Sequence, residues 1–226
     1  MDDPTFAGTE FNVRYLDWFT TRELQETHRQ NPKRISERMV DVTYAVKSKC
    51  FSAMIDDRFD VVIANHVVEH IPDVITWFRE LAAVCTADAT IFLSVPDRNY
   101  TFDYVRPEAT AVDLLRAYDA DLERPDYYQI LEAIYYWRPV TAADVWTGEE
   151  LSTKLASKRY SLRDAMSRAT RLAVGFKDSH CHVFSRDTFP AVWADLEESG
   201  LVDWTLKDIA DVQEGLGEFH VMFARA

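Results

Sequence analysis

At 226 residues and 47% apolar content the chain is long enough to bury one good core, and its length argues for a single domain, 1–226, with an inserted segment. A formal net charge of -13 with no basic stripe excludes a nucleic-acid partner and leaves small molecules or cationic partners. No apolar run approaches the roughly 18 to 20 residues needed to cross a bilayer, and the N-terminus has neither a positive nor an apolar targeting region, so a soluble, cytoplasmic protein is expected.

Residues 11–16 (FNVRYL) alternate apolar and polar like a strand that ends at Asp17, and Thr20, Thr21 and Glu23 mark a helix start. That helix is predicted to run from 21 to about 30 and to close at Asn31 and Pro32, with a second strand over 39–46. A short helix or turn at 51–55 leads into FDVVIANHVVEHIPD, residues 59–73, whose run 60–64 reads as a buried parallel strand. Ile75, Phe78, Leu81, Ala82 and Cys85 fall at helical spacing, and a second apolar run follows at 90–95, so the centre of the chain reads strand, helix, strand. Ligands of open parallel sheets bind beyond the strands' carboxyl ends, where His66, Glu69, His70, Asp97 and Arg98 would stand.

Residues 103–178 read as a largely helical insertion, with helices predicted over 109–118, 127–137 and 142–157 and many aromatic residues among them. That composition suits packing, and it would also suit a lid over a pocket. A strand is predicted at 180–184, a helix at 188–199 closed by Gly200, and a final antiparallel hairpin, 202–209 with 218–224, turned at residues 215–217. Cys50, Cys85 and Cys181 have no CxxC spacing and are expected to be reduced thiols.

His66, Glu69 and His70 spell HxxEH, which on a helix would gather two imidazoles and a carboxylate as in a zinc peptidase. The motif instead follows directly on a strand, and Pro72 leaves too little helix to hold both histidines on one face, so no metal is expected there and a zinc hydrolase is the least favoured reading. Asp17 at a strand tip is the kind of acid that accepts hydrogen bonds from both ribose hydroxyls of a nucleoside cofactor, although an Asp there can equally cap the next helix.

NVRYLDW (12–18), FDVVIANHVVEHIPD (59–73), VPDRNYTFDYVRP (95–107) and, more faintly, HCHVFSRDTF (180–189) together resemble the class I S-adenosylmethionine-dependent methyltransferases, most closely a bacterial branch found among sugar and glycan biosynthesis enzymes. The resemblance implies an α/β Rossmann-like methyltransferase sheet, mostly parallel with a C-terminal antiparallel hairpin, with S-adenosylmethionine as cofactor and a small-molecule or glycan acceptor. Carried over residue by residue, it makes Asp17 the ribose acid, puts Trp18 beside it and Val46 near adenine, and lines the cofactor pocket with Asn65 and His66. Arg98, Tyr100, Asp103, Arg106, His180 and His182 would face the acceptor, and His66 and Asp97 are the candidate catalytic groups. One departure stands out: the family's glycine-rich loop after its first strand has no counterpart before Asn12. The chain is therefore expected to lack the first strand and to bind cofactor weakly, and a non-catalytic binding or scaffold protein is the alternative.

Overall fold

The computed structural model describes residues 11–29, 39–175 and 177–226, which fall into two compact units, 1–57 and 58–226. No described helix is long and apolar enough to cross a membrane.

In the first unit, strand β1 (Leu16–Asp17) pairs in parallel with β2 (Tyr44–Ala45), Leu16 opposite Tyr44 and Asp17 opposite Ala45. Helix α1 (Thr21–His28) starts in a capping box, Thr20 accepting from the Glu23 amide and Glu23 from the Thr20 amide. The strands expected over 11–16 and 39–46 shrink to two residues each, because among the described residues each pairs only with the other and a lone pair of strands supports little ladder. The helix closure expected at Asn31 and Pro32 lies outside the described residues. Val46, Phe51 and Ile55 are buried, and Asp57 accepts from Tyr44 Oη at 2.6 Å and Arg14 Nε at 3.2 Å.

The second unit is built on β3 (Phe59–Asn65), α2 (Val74–Val84) and β4 (Cys85–Pro96), the parallel crossover expected from the sequence. Asp73 caps α2 by accepting from the Thr76 amide at 2.9 Å. After β4 come α3 (Ala111–Asp119), α4 (Tyr127–Tyr135), α5 (Ala142–Thr147), α6 (Leu151–Ala156), α7 (Leu162–Leu172) and α8 (Phe189–Glu198), then β5 (Trp204–Ala210) and β6 (Glu218–Arg225). The strand order is β3-β4-β6-β5, with β6 antiparallel to both neighbours.

Among the described residues two strand pairings are parallel and two antiparallel, so the sheets are mixed rather than mostly parallel. The long helix expected over 142–157 is broken into α5 and α6. Gly148 at φ 72° ends α5, and Glu150 at φ 55° turns the chain before α6. No strand forms at 180–184 beyond one bridge, Asp97 with Phe184. The segment's backbone is paired elsewhere: the Cys181 amide donates to the Glu69 carbonyl at 2.6 Å, and the Val183 carbonyl accepts from Ala109 at 2.9 Å.

The core lies where α2 and α8 cover β6. Phe78, Phe189, Trp193 and Phe223 are buried together, with the Trp193 and Phe223 rings 4.3 Å apart and those of Phe78 and Trp193 4.5 Å apart. Buried Trp204 and Trp193 both find acceptors, at the Phe78 carbonyl and the Trp204 carbonyl, each at 3.0 Å. Each such aromatic contributes about 1.5–3 kcal/mol by burial, which ties α2 and α8 to the sheet.

Candidate functional site

The rim begins where β3 runs out. Asn65 accepts from the Ser94 hydroxyl at 3.1 Å, and the His66 amide donates to the Ser94 carbonyl at 3.0 Å, so the parallel ladder carries one residue past the strand. His66 itself is left-handed, φ 52°, a conformation that a β-carbon makes costly. The chain then makes a single 3-10 turn, Val68–His70, before Pro72. HxxEH is therefore a strand end plus a tight turn. The turn aims His66 at Glu218 on the first residue of β6, with Nε2 and Oε2 2.6 Å apart.

Glu69 sits beneath this turn with 1% of its surface exposed. Its Oε1 lies 3.6 Å from His66 Nδ1 and 3.6 Å from His70 Nε2, and neither carboxylate oxygen has a hydrogen-bond partner. Glu69, reinforced by Glu218, outweighs partial burial and lifts His66 to about 9, so it carries a charge at neutral pH. Asp178 raises His70 in the same direction against its burial, across a 2.6 Å contact to Nδ1.

The loop after β4 is locked by side chains that sequence reasoning assigned to chemistry. Asp97 is buried, and its two oxygens accept from the Asn99 and Arg186 amides at 2.8 Å each, while burial raises its pKa. Its own amide donates to the Gly217 carbonyl at 2.9 Å. A β-carbon on Gly217 would stand 3.2 Å from Ala142 Cβ and 3.3 Å from Tyr100 Cβ, so glycine is what lets this loop approach β6. Tyr100 stacks on Trp146 at 5.0 Å, and Trp146 donates to the Leu216 carbonyl at 2.7 Å. Arg98 binds Glu108 at 2.7 Å and the carbonyls of Tyr104 and Arg106 at 3.0 and 2.7 Å.

Arg106 is 1% exposed and reaches the other way. It donates to the His180 carbonyl at 2.6 Å, the Cys181 carbonyl at 3.1 Å and Glu132 at 3.2 Å. Asp103 holds His180 Nδ1 at 2.6 Å. His182 Nε2 meets the Pro72 carbonyl at 2.9 Å, and burial lowers its pKa to about 4, so the ring is neutral and donates there. A cavity of about 510 Å³ opens beside these groups, lined among others by Glu108, Asp113, Arg116, Gln129, Glu132 and His182.

In the first unit, Asp17 ends β1 and accepts from the Phe19 amide at 2.8 Å, which fixes the carboxylate's direction. Trp18 is half-buried, Val46 is buried, and the Val46 amide donates to the Asp17 carbonyl at 2.9 Å.

A family model described as a methyltransferase domain matches residues 4–202. The chain belongs to that methyltransferase family. No curated protein matches its sequence. Among solved structures, a putative zinc-dependent alcohol dehydrogenase from Rhodobacter sphaeroides shares 13% identity at a TM-score of 0.42, covering 93% of this chain and 74% of that one.

For this methyltransferase the structure brings together, within the second unit, His66 with Glu69 and Glu218, and Asp103 and Arg106 with His180. Asp178, Glu132, Gln129 and Glu218 were not singled out from the sequence. Asp178, Glu132 and Glu218 meet partners far away in the chain, which no local spacing announces, whereas Gln129 forms a local capping box with Asp126 and reaches the Pro72 carbonyl only through the fold. Glu69 was visible from HxxEH and from its place just past the end of a strand. Asp17 stands at a strand tip with Oδ1 accepting from the Phe19 amide.

Proposed function

We propose that the methyltransferase transfers the methyl group of S-adenosylmethionine to a small hydroxyl-rich acceptor, of the glycan type, held in the cavity of the second unit. The cavity is the observation that carries the acceptor assignment. Its volume, about 510 Å³, suits a sugar-sized compound, and its walls offer carboxylates at Glu108, Asp113 and Glu132, a guanidinium at Arg116, the Gln129 amide and neutral His182. Hydroxyl groups need donors and acceptors on several sides, and these walls supply both.

The cofactor supplies a sulfonium-activated methyl group, so the protein's task is alignment. Asp17, with Trp18 and Val46 beside it, would hold the ribose end. His182 is kept neutral by burial, and its Nε2–H is committed to the Pro72 carbonyl, so its other ring nitrogen accepts from an acceptor hydroxyl. His66 is charged at neutral pH and offers a cationic N–H to an anionic group, a different role from that of a base. Asp97, with both oxygens committed to backbone amides, positions the loop that carries Arg98 and Tyr100. Three unpaired thiols, Cys50, Cys85 and Cys181, accord with a reducing, cytoplasmic setting.

The test is transfer of labelled methyl from S-adenosylmethionine to a panel of sugars and nucleotide sugars, with Arg116→Ala and Gln129→Ala beside the wild type. The reading expects a labelled sugar and a KM for it raised tenfold or more by either change. Binding of cofactor without transfer to any hydroxyl compound would favour the scaffold reading instead.

A further inference from the structure

Glu69 is a buried carboxylate with neither oxygen hydrogen-bonded, and besides His66 at 3.6 Å from Oε1 it has open coordination toward a second side. On that side two further imidazoles, those of His70 and His180, approach from different parts of the chain. His70 Nε2 stands 3.6 Å from Oε1, and one ligand atom each from Glu69, His70 and His180 lie within 4.8 Å of one another. Both rings are held from behind in the same manner, His70 Nδ1 by Asp178 and His180 Nδ1 by Asp103, each at 2.6 Å. Carboxylates bound to one imidazole nitrogen in this way fix the tautomer and point the other nitrogen at a metal. The rings meet edge to face at 4.8 Å, and Phe102 covers His180 at the same centroid distance.

The backbone keeps this arrangement in place. The Cys181 amide donates to the Glu69 carbonyl at 2.6 Å, and Arg106 holds the His180 carbonyl, so the two segments cannot drift apart independently. The His180 side chain is 13% exposed and that of His70 32%, which leaves an open side for a further ligand. The surroundings are acidic, with Glu69, Asp103 and Asp178 against the buried guanidinium of Arg106, itself shared with Glu132.

We propose that Glu69, His70 and His180 form a three-ligand site for a divalent first-row transition ion of the zinc class, with a fourth position open to water or to a hydroxyl of a bound compound. Zinc bonds of about 2.0–2.2 Å put neighbouring ligand atoms of a tetrahedron about 3.4 Å apart, so the Glu69–His70 spacing already fits and the cluster closes by at most about 1.4 Å. This differs from a helical HxxEH site: His66 is directed at Glu218, and the third ligand comes from 110 positions downstream of His70. Two imidazoles and one carboxylate with an open position is a donor set that binds zinc and can polarise a coordinated hydroxyl.

The site is tested with metal alone, independently of methyl transfer and without its cofactor. Protein stripped with a chelator is titrated calorimetrically with Zn²⁺, and Co²⁺ is added as a spectroscopic substitute. The proposal expects one equivalent of Zn²⁺, visible absorption of tetrahedral Co²⁺, and a raised melting temperature in the wild type. His180→Ala and Glu69→Gln should weaken binding a hundredfold or more, while His66→Ala retains it. A wild type that takes up no Zn²⁺ and shows no thermal shift overturns the proposal, and so does binding that His180→Ala leaves unchanged or that His66→Ala abolishes. Should Glu69→Gln fail to fold, partly exposed His70 and His180 still decide the matter.

Discussion

Asp103 Oδ2 lies 2.6 Å from His180 Nδ1, joining the loop after β4 to a segment 77 residues further along the chain. The same loop sends Arg106 to the carbonyls of His180 and Cys181. The cavity wall therefore depends on side chains that replace a missing ladder, since 180–184 forms no strand of its own.

Arg106 is the strongest of these ties. Replacing it with Met would leave the His180 and Cys181 carbonyls without their donor and buried Asp103 without the cation 3.9 Å away, a loss expected to cost about 3–5 kcal/mol. Arg106→Lys should recover less than half, because an ammonium group lacks the fork that spans both carbonyls and Glu132. Denaturant titration measures this, and a cost under about 1 kcal/mol for the Met variant would show that the segment is held by other means.

Asp97→Asn tests the positioning role of that carboxylate. Both oxygens accept backbone amides, so the new NH₂ group must face the Asn99 or Arg186 amide, donor against donor. The expected loss is about 1–3 kcal/mol of stability, with any fall in transfer rate recovered at lower temperature. A fully stable variant with no transfer activity would instead give Asp97 a direct catalytic part.

Acid should weaken the loop through Glu108. Burial raises its pKa, but hydrogen bonds from Thr188 and Arg98 outweigh this and hold it below the ordinary 4.5. A carboxyl group with a depressed folded pKa stabilises the fold above its unfolded value, and that contribution fades as pH falls through 4.5 and below. Glu108→Gln should therefore lower stability at pH 7 and narrow the gap to wild type as pH drops below 4.5. An unchanged gap across that range would contradict the assignment.

The sequence carried the β3–α2–β4 crossover and the final hairpin because apolar runs, Asp73 and the turn before β6 all point the same way. It overstated the strands near residues 11–16 and 39–46, since alternation describes a strand's faces and says nothing about its partners. Gly148 was available as a break between α5 and α6 and was overridden by helical spacing on both sides. The positions of Asp17, His66 and the loop 97–106 at or just beyond strand ends were legible in the sequence. The pairs Asp103–His180, Asp178–His70 and Glu218–His66 were not, because they join residues 77, 108 and 152 positions apart.

The central claim, that this family member uses S-adenosylmethionine through the strand-tip acid of its first unit, is tested most directly by calorimetric titration of the cofactor into wild type and Asp17→Ala. The account predicts saturable binding at one equivalent by the wild type. Loss of the carboxylate's charged hydrogen bonds, worth about 1.5–3 kcal/mol, should weaken it roughly ten- to a hundredfold. No binding by a folded wild type, or equal binding by both proteins, would contradict it.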